Sequence, residues 1–163
     1  MNRKLNVVDY EFSLSYLDFR DETLLHEIRE VLWKSPKLIS EFIAAVDDLT
    51  QEEIDLLTAW EKHHIKGKFM LIKHTPIDSI FMCLEKSKEA RLYAVKGMTS
   101  SIASSMKRKL PVVLETVLLP FKDVIIYDSF ITANPIEFDS EFVKLTKKQY
   151  IESEEKYGIV AKF

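Results

Sequence analysis

Residues 68–85 read KFMLIKHTPIDSIFMCLE, two apolar runs (69–72 and 80–84) on either side of His74-Thr75-Pro76-Ile77-Asp78. Each run is too short for a globular helix and is rich in Phe, Ile, Met and Leu, while the Thr-Pro-Ile-Asp stretch has turn chemistry. The pattern predicts strands over 68–74 and 79–85 joined as a hairpin. Because apolar residues stand at consecutive positions rather than alternating, both strands are expected to be central and buried on both faces, in a sheet curled into a small barrel.

The same texture continues downstream. Strands are expected at 90–97, 111–119 and 123–131, with Lys86-Ser87-Lys88-Glu89 joining the second strand to the third, and Pro120-Phe121-Lys122 as the turn between the last two. Residues 98–109, with a Ser-rich middle, read as a short helix or an irregular crossing, the helix being the preferred reading. Asp139-Ser140 caps a closing helix that runs through Phe142, Leu145 and Tyr150 to Tyr157 and stops at Gly158.

Upstream the period changes to 3.6. Leu24, Leu25, Ile28 and Leu32 predict a helix over 21–34; Ser35-Pro36 opens a second through Leu38, Ile39, Phe42, Ile43 and Val46. Thr50-Gln51-Glu52-Glu53 has the capping-box spacing and opens a third through Ile54, Leu57 and Trp60. Helices followed by strands and a closing helix define an α+β class: N-terminal helices packed on an antiparallel sheet of about five strands. At 163 residues one domain is expected, with a mainly helical part at 1–66, a mainly β part at 67–131 and the C-terminal helix within 132–163.

Charge is unevenly placed within a net of −3. Residues 1–60 carry 6 cations and 13 anions, 61–122 carry 12 and 5, and 123–163 carry 5 and 8. The basic middle holds two clusters, Lys62, Lys66 and Lys68, and Lys107, Arg108 and Lys109. If the sheet brings them together they form a phosphate-contacting patch, the basis of a nucleic-acid-binding reading. The bland reading is a solvated lysine-rich face.

Catalytic chemistry finds little purchase. Gly67, Gly97 and Gly158 are too dispersed for a phosphate-cradling loop. His26-Glu27-Ile28-Arg29-Glu30 misses H-E-x-x-H by its last residue, and Ser104-Ser105-Met106-Lys107 fits S-x-x-K without its companion motifs. His63 and His64 are adjacent, hence about 100° apart on a helix, and offer no shared ligand face. Tyr127-Asp128 reads as a strand end and the turn after it. The only thiol, Cys83, stands in an apolar strand and reads as a small buried hydrophobe. No motif asks for a metal or cofactor.

A lone thiol permits no intrachain disulfide and suits a reducing compartment. Residues 1–9 carry charge where a signal peptide needs an apolar run, and no apolar stretch approaches the roughly 20 residues of a membrane span, so a cytoplasmic chain without membrane partners is expected.

Residues 118–128, LLPFKDVIIYD, resemble a segment of uncharacterised bacterial proteins in which an LLPF turn leads into an I-x-YD strand usually ended by Gly. Here Ser129 stands at that position. The resemblance implies a hairpin at Pro120 and brings no activity with it. The reading that follows is a non-catalytic bacterial interaction or regulatory module that binds another protein or itself. The alternatives are a weak nucleic-acid binder using the six basic residues, and a small enzyme with an unrecognised site.

Overall fold

The computed structural model describes residues 22–85, 90–134 and 136–163. The expected hairpin residues 86–89 and the reading of 1–9 lie outside them. Two compact units divide the chain, 1–62 and 63–163.

The described residues of the first unit form three helices, α1 (Glu22–Lys34), α2 (Leu38–Ala45) and α3 (Gln51–His63), the last of which ends one residue into the second unit. The capping box forms as its spacing requires. Glu53 Oε2 accepts from the Thr50 amide at 2.8 Å, and Thr50 Oγ1 accepts from the Glu53 amide at 3.3 Å. The Thr50 hydroxyl, which donates to Glu53 Oε2 at 2.7 Å, and then the Thr50 amide hold the Glu53 carboxyl below its usual pKa. The start of α2 differs from expectation. Ser35 and Pro36 form a turn, with the Leu38 and Ile39 amides donating to their carbonyls, and the cap position falls on Lys37. Ser40 Oγ donates to Glu61, linking α2 to α3.

The second unit contains β1 (Ile65–His74), β2 (Ser79–Cys83), β3 (Leu92–Lys96), α4 (Ile102–Ser105), β4 (Val112–Phe121), β5 (Val124–Tyr127), β6 (Thr132–Ala133), α5 (Ser140–Tyr157) and β7 (Ile159–Val160). Its strands follow the order β1-β2-β3-β5-β4, and β1 pairs back onto β4, so five strands close into the barrel expected from the double-sided apolar pattern. Closure leaves no long edge open. The sheet is mixed, not wholly antiparallel: β3 runs parallel to β5 and to β7. The chain leaves β3 through the 97–111 connection and spans the antiparallel β4 before reaching β3's other side, which reverses the sense of that pair.

Alternation along β1 separates two cores. Ile65, Phe69 and Leu71 face the barrel interior with Phe81, Cys83, Tyr93, Val95, Leu114, Leu118 and Ile125. Met70 and Ile72 face outward with Ile80, Met82, Leu92 and Ala94, against Tyr150 of α5. β1 and β2 are thus buried on both sides, and Cys83 is buried as a hydrophobe. Gly67 lies opposite Thr116, and a Cβ there would fall 2.7 Å from Glu85 Oε1.

A bulge between Leu71 and Lys73 shifts the β1 register against β2. The extra residue lets Ile72 and Lys73 both reach the α5 side, while His74 turns to the interior side opposite Ser79.

Three local expectations are corrected. Pro120 and Phe121 belong to β4, paired with Ile125 and Val124, and the turn is Lys122-Asp123, with Lys122 at φ 53°. β5 ends at Tyr127, and only residues 102–105 of the 98–109 stretch are helical. Gly158 ends α5 at φ 68°, as expected of that glycine.

Candidate binding groove

The connection into β4, residues 109–111, runs beside residues 136–138 and the first two turns of α5, and between them lies a groove of about 510 Å³. Its apolar lining is Leu110, Pro111, Ile136, Phe138 and Val143; its cations are Lys109, Lys144 and Lys147; Glu137 and Ser140 complete it. Each part has a local cause. Asp139 accepts from the Phe142 amide at 2.7 Å and fixes where α5 begins. Spacings of three and four then place Ser140, Lys144 and Lys147 on one face of the helix. Phe138 stacks on Phe142 with ring centroids 4.3 Å apart, holding the groove wall against the helix.

The rest of α5 is fastened to the barrel by polar bonds. Lys73 Nζ donates to Tyr150 Oη at 2.6 Å and lies 4.5 Å from that ring's centre. The bond to Tyr150 raises the Lys73 pKa; burial raises that of the Tyr150 hydroxyl. Ser153 Oγ donates to the Ala90 carbonyl, and Arg91 stacks 4.2 Å over Tyr157. These contacts set the register of α5, and so the positions of Lys144 and Lys147.

Lys109, Lys144 and Lys147 are exposed, and no ion pair among the described residues engages them. Of the six basic residues singled out in the sequence, Lys109 alone lines the groove. Lys66 and Lys68 lie opposite Val117 and Glu115 on the β1–β4 ladder, whereas Lys107 to Lys109 precede the ladder's other end, where Leu71 meets Val112. At about 3.3 Å per residue, Lys68 and Lys109 are set apart by up to about 20 Å along the strands. Lys62 belongs to the helical unit. Lys144 and Lys147 were not singled out, because 35 or more residues separate them from Lys109 and only the fold joins them.

A second cavity, about 170 Å³, lies at the barrel end near His74 and is lined by Asp78, Ser79, Lys96, Gly97 and Ser101 among others. His74 Nδ1 is 2.7 Å from Ser79 Oγ, and burial pushes the His74 pKa down, favouring neutral imidazole. That is the spacing of a base and a nucleophile. Ser79 is only 2% exposed, and no third group among the described residues orients the imidazole. Asp78 instead lies 3.6 Å from Lys96. The sequence reading missed the pair, although a hairpin across Thr75-Pro76-Ile77-Asp78 sets residues 74 and 79 opposite one another.

Two of the other sequence candidates have structural partners. Ser104 Oγ donates to the Ser101 carbonyl, and Asp128 Oδ1 accepts from the buried Thr116 at 3.3 Å. Among the described residues no helix is long and apolar enough to cross a membrane. The chain matches no protein-family model, no curated protein and no solved structure.

Proposed function

We propose that the protein is a non-catalytic interaction module whose barrel unit holds an anionic partner in the groove beside α5. The observation that carries this reading is the convergence of three exposed lysines, from two elements far apart in sequence, on one groove with an apolar wall. A volume of about 510 Å³ is ample for a bound segment or molecule. The His74–Ser79 pair supports no equal claim for catalysis, since its hydroxyl is buried and no group among the described residues orients its imidazole. A cytoplasmic setting remains our reading, on the strength of a single, buried thiol.

Fluorescence anisotropy with labelled polyaspartate tests the reading. Binding that weakens with salt is expected, and the triple variant K109E/K144E/K147E should abolish it. Absence of binding at low salt, or a triple variant that binds as the parent does, would refute it. The nucleic-acid alternative has its own signature. If Lys66, Lys68, Lys107 and Arg108 neutralise about four phosphates, log affinity for DNA should fall against log salt with a slope near −3 to −4, and reversing those four charges should remove it.

A further inference from the structure

We infer that the occupant of the groove is an acidic peptide segment in which apolar side chains alternate with carboxylates, donated by a partner protein. This rests on the reading of the groove as an anion-binding site and adds what sort of anion enters it.

Three features select this class. The lysines stand beside an apolar wall of Leu110, Pro111, Ile136, Phe138 and Val143, so a ligand of charge alone would leave that wall wet. Exposed ion pairs individually contribute little, and affinity has to come from apolar burial as well as from charge. Second, Glu137 also lines the groove. A continuous polyanion would place charge against it, whereas a peptide can set an apolar or donor group there. Third, exposed apolar surface extends beyond the groove. Ile136, in the groove wall, is 56% exposed, and Ile151, 52% exposed, lies outside it on the same helical face as Lys144 and Lys147, one turn beyond Lys147. A small amphipathic acid would end within the groove, while a chain of several residues can run on to Ile151.

The test compares four probes on the intact protein by isothermal titration: an approximately eight-residue peptide of aspartates interleaved with phenylalanine and leucine, polyaspartate of the same length, octanoate, and a single-stranded oligonucleotide. The interleaved peptide should bind at least about 10-fold more tightly than the other three. Ile136→Ser, at an exposed position where folding is not at stake, should remove most of that preference, weakening the interleaved peptide at least about 5-fold more than polyaspartate. K144E/K147E should weaken both peptides, and amide shifts on peptide binding should centre on Lys109, Ile136, Val143 and Lys147. Equal binding of polyaspartate, with Ile136→Ser silent, would overturn the inference and leave the anion-binding reading standing. Octanoate or the oligonucleotide binding as tightly as the interleaved peptide would overturn it in favour of a small amphiphile or a nucleic acid. If no anionic probe bound, both readings would fall.

Discussion

The barrel interior and the face beneath α5 are both dense, yet they are held in different ways. Inside, Phe69 packs against Phe81 and, edge-on, against Tyr93, both at 6.2 Å, in an almost wholly apolar cluster. Beneath α5 the barrel again presents Met70, Met82 and Leu92, but the helix answers with Thr146, Tyr150 and Ser153. Apolar packing is non-directional, whereas the Lys73–Tyr150 and Ser153–Ala90 bonds fix one register. The interior therefore sets whether the barrel exists, and the polar face sets where Lys144 and Lys147 stand.

The largest effect should come from the interior. Phe81→Ala empties a fully buried ring site and should cost about 3–5 kcal/mol, read as a shift in the denaturant midpoint. Calorimetry of the parent bears on chain organisation as well: one transition agrees with the single domain expected from length, and two would make the 1–62 and 63–163 units independent.

Tyr150→Phe keeps the buried ring and removes the hydroxyl that accepts from Lys73. The expected loss is about 1 kcal/mol. Hydrogen exchange should quicken in α5 while the β1–β4 ladder stays protected, and polyaspartate affinity should fall a few-fold. A loss of protection spread evenly over the barrel would contradict the division between the two faces.

His74 supplies a pH-dependent contribution at the barrel end. Burial lowers its pKa from the ordinary value near 6.5, so below that value the unfolded chain binds a proton that the native state resists. The stabilisation is present above about pH 6.5 and is lost as pH falls through the lowered native pKa. Urea midpoints should thus decline between about pH 7 and 5, and His74→Gln should flatten that decline.

Much of the architecture was legible where it depends on neighbours in sequence. The capping box at Thr50 and Glu53, the doubly buried strands around His74-Thr75-Pro76-Ile77-Asp78, and the Asp139 and Gly158 ends of α5 are all short-range patterns. The parallel β3–β5 pair and the β1–β4 closure depend on long connections that leave no local mark. The groove was hidden for the same reason, since neither Lys144 nor Lys147 stands out from a solvated helix face until Lys109 is laid beside it. Pro120 misled because proline suits a turn. β4 accommodates it opposite Ile125, where the β-region φ fixed by its ring serves a strand equally well.

The smallest effect concerns Ser129, which follows the strand β5 and sits at φ 68° without being glycine. A left-handed residue with a Cβ is strained by roughly 1–2 kcal/mol, which glycine avoids. Glycine also enlarges the conformational entropy of the unfolded chain, offsetting part of the gain. The net expectation for Ser129→Gly is a stabilisation of about 0.5 kcal/mol. Gly158→Ala is the converse arm. It puts a Cβ on a residue at φ 68° with nothing within 4 Å to clash, so its cost isolates the backbone strain. Denaturant midpoints should move up for the first variant and down for the second. If Ser129→Gly instead destabilised the protein, the Ser129 side chain would have a stabilising role that outweighs its backbone strain.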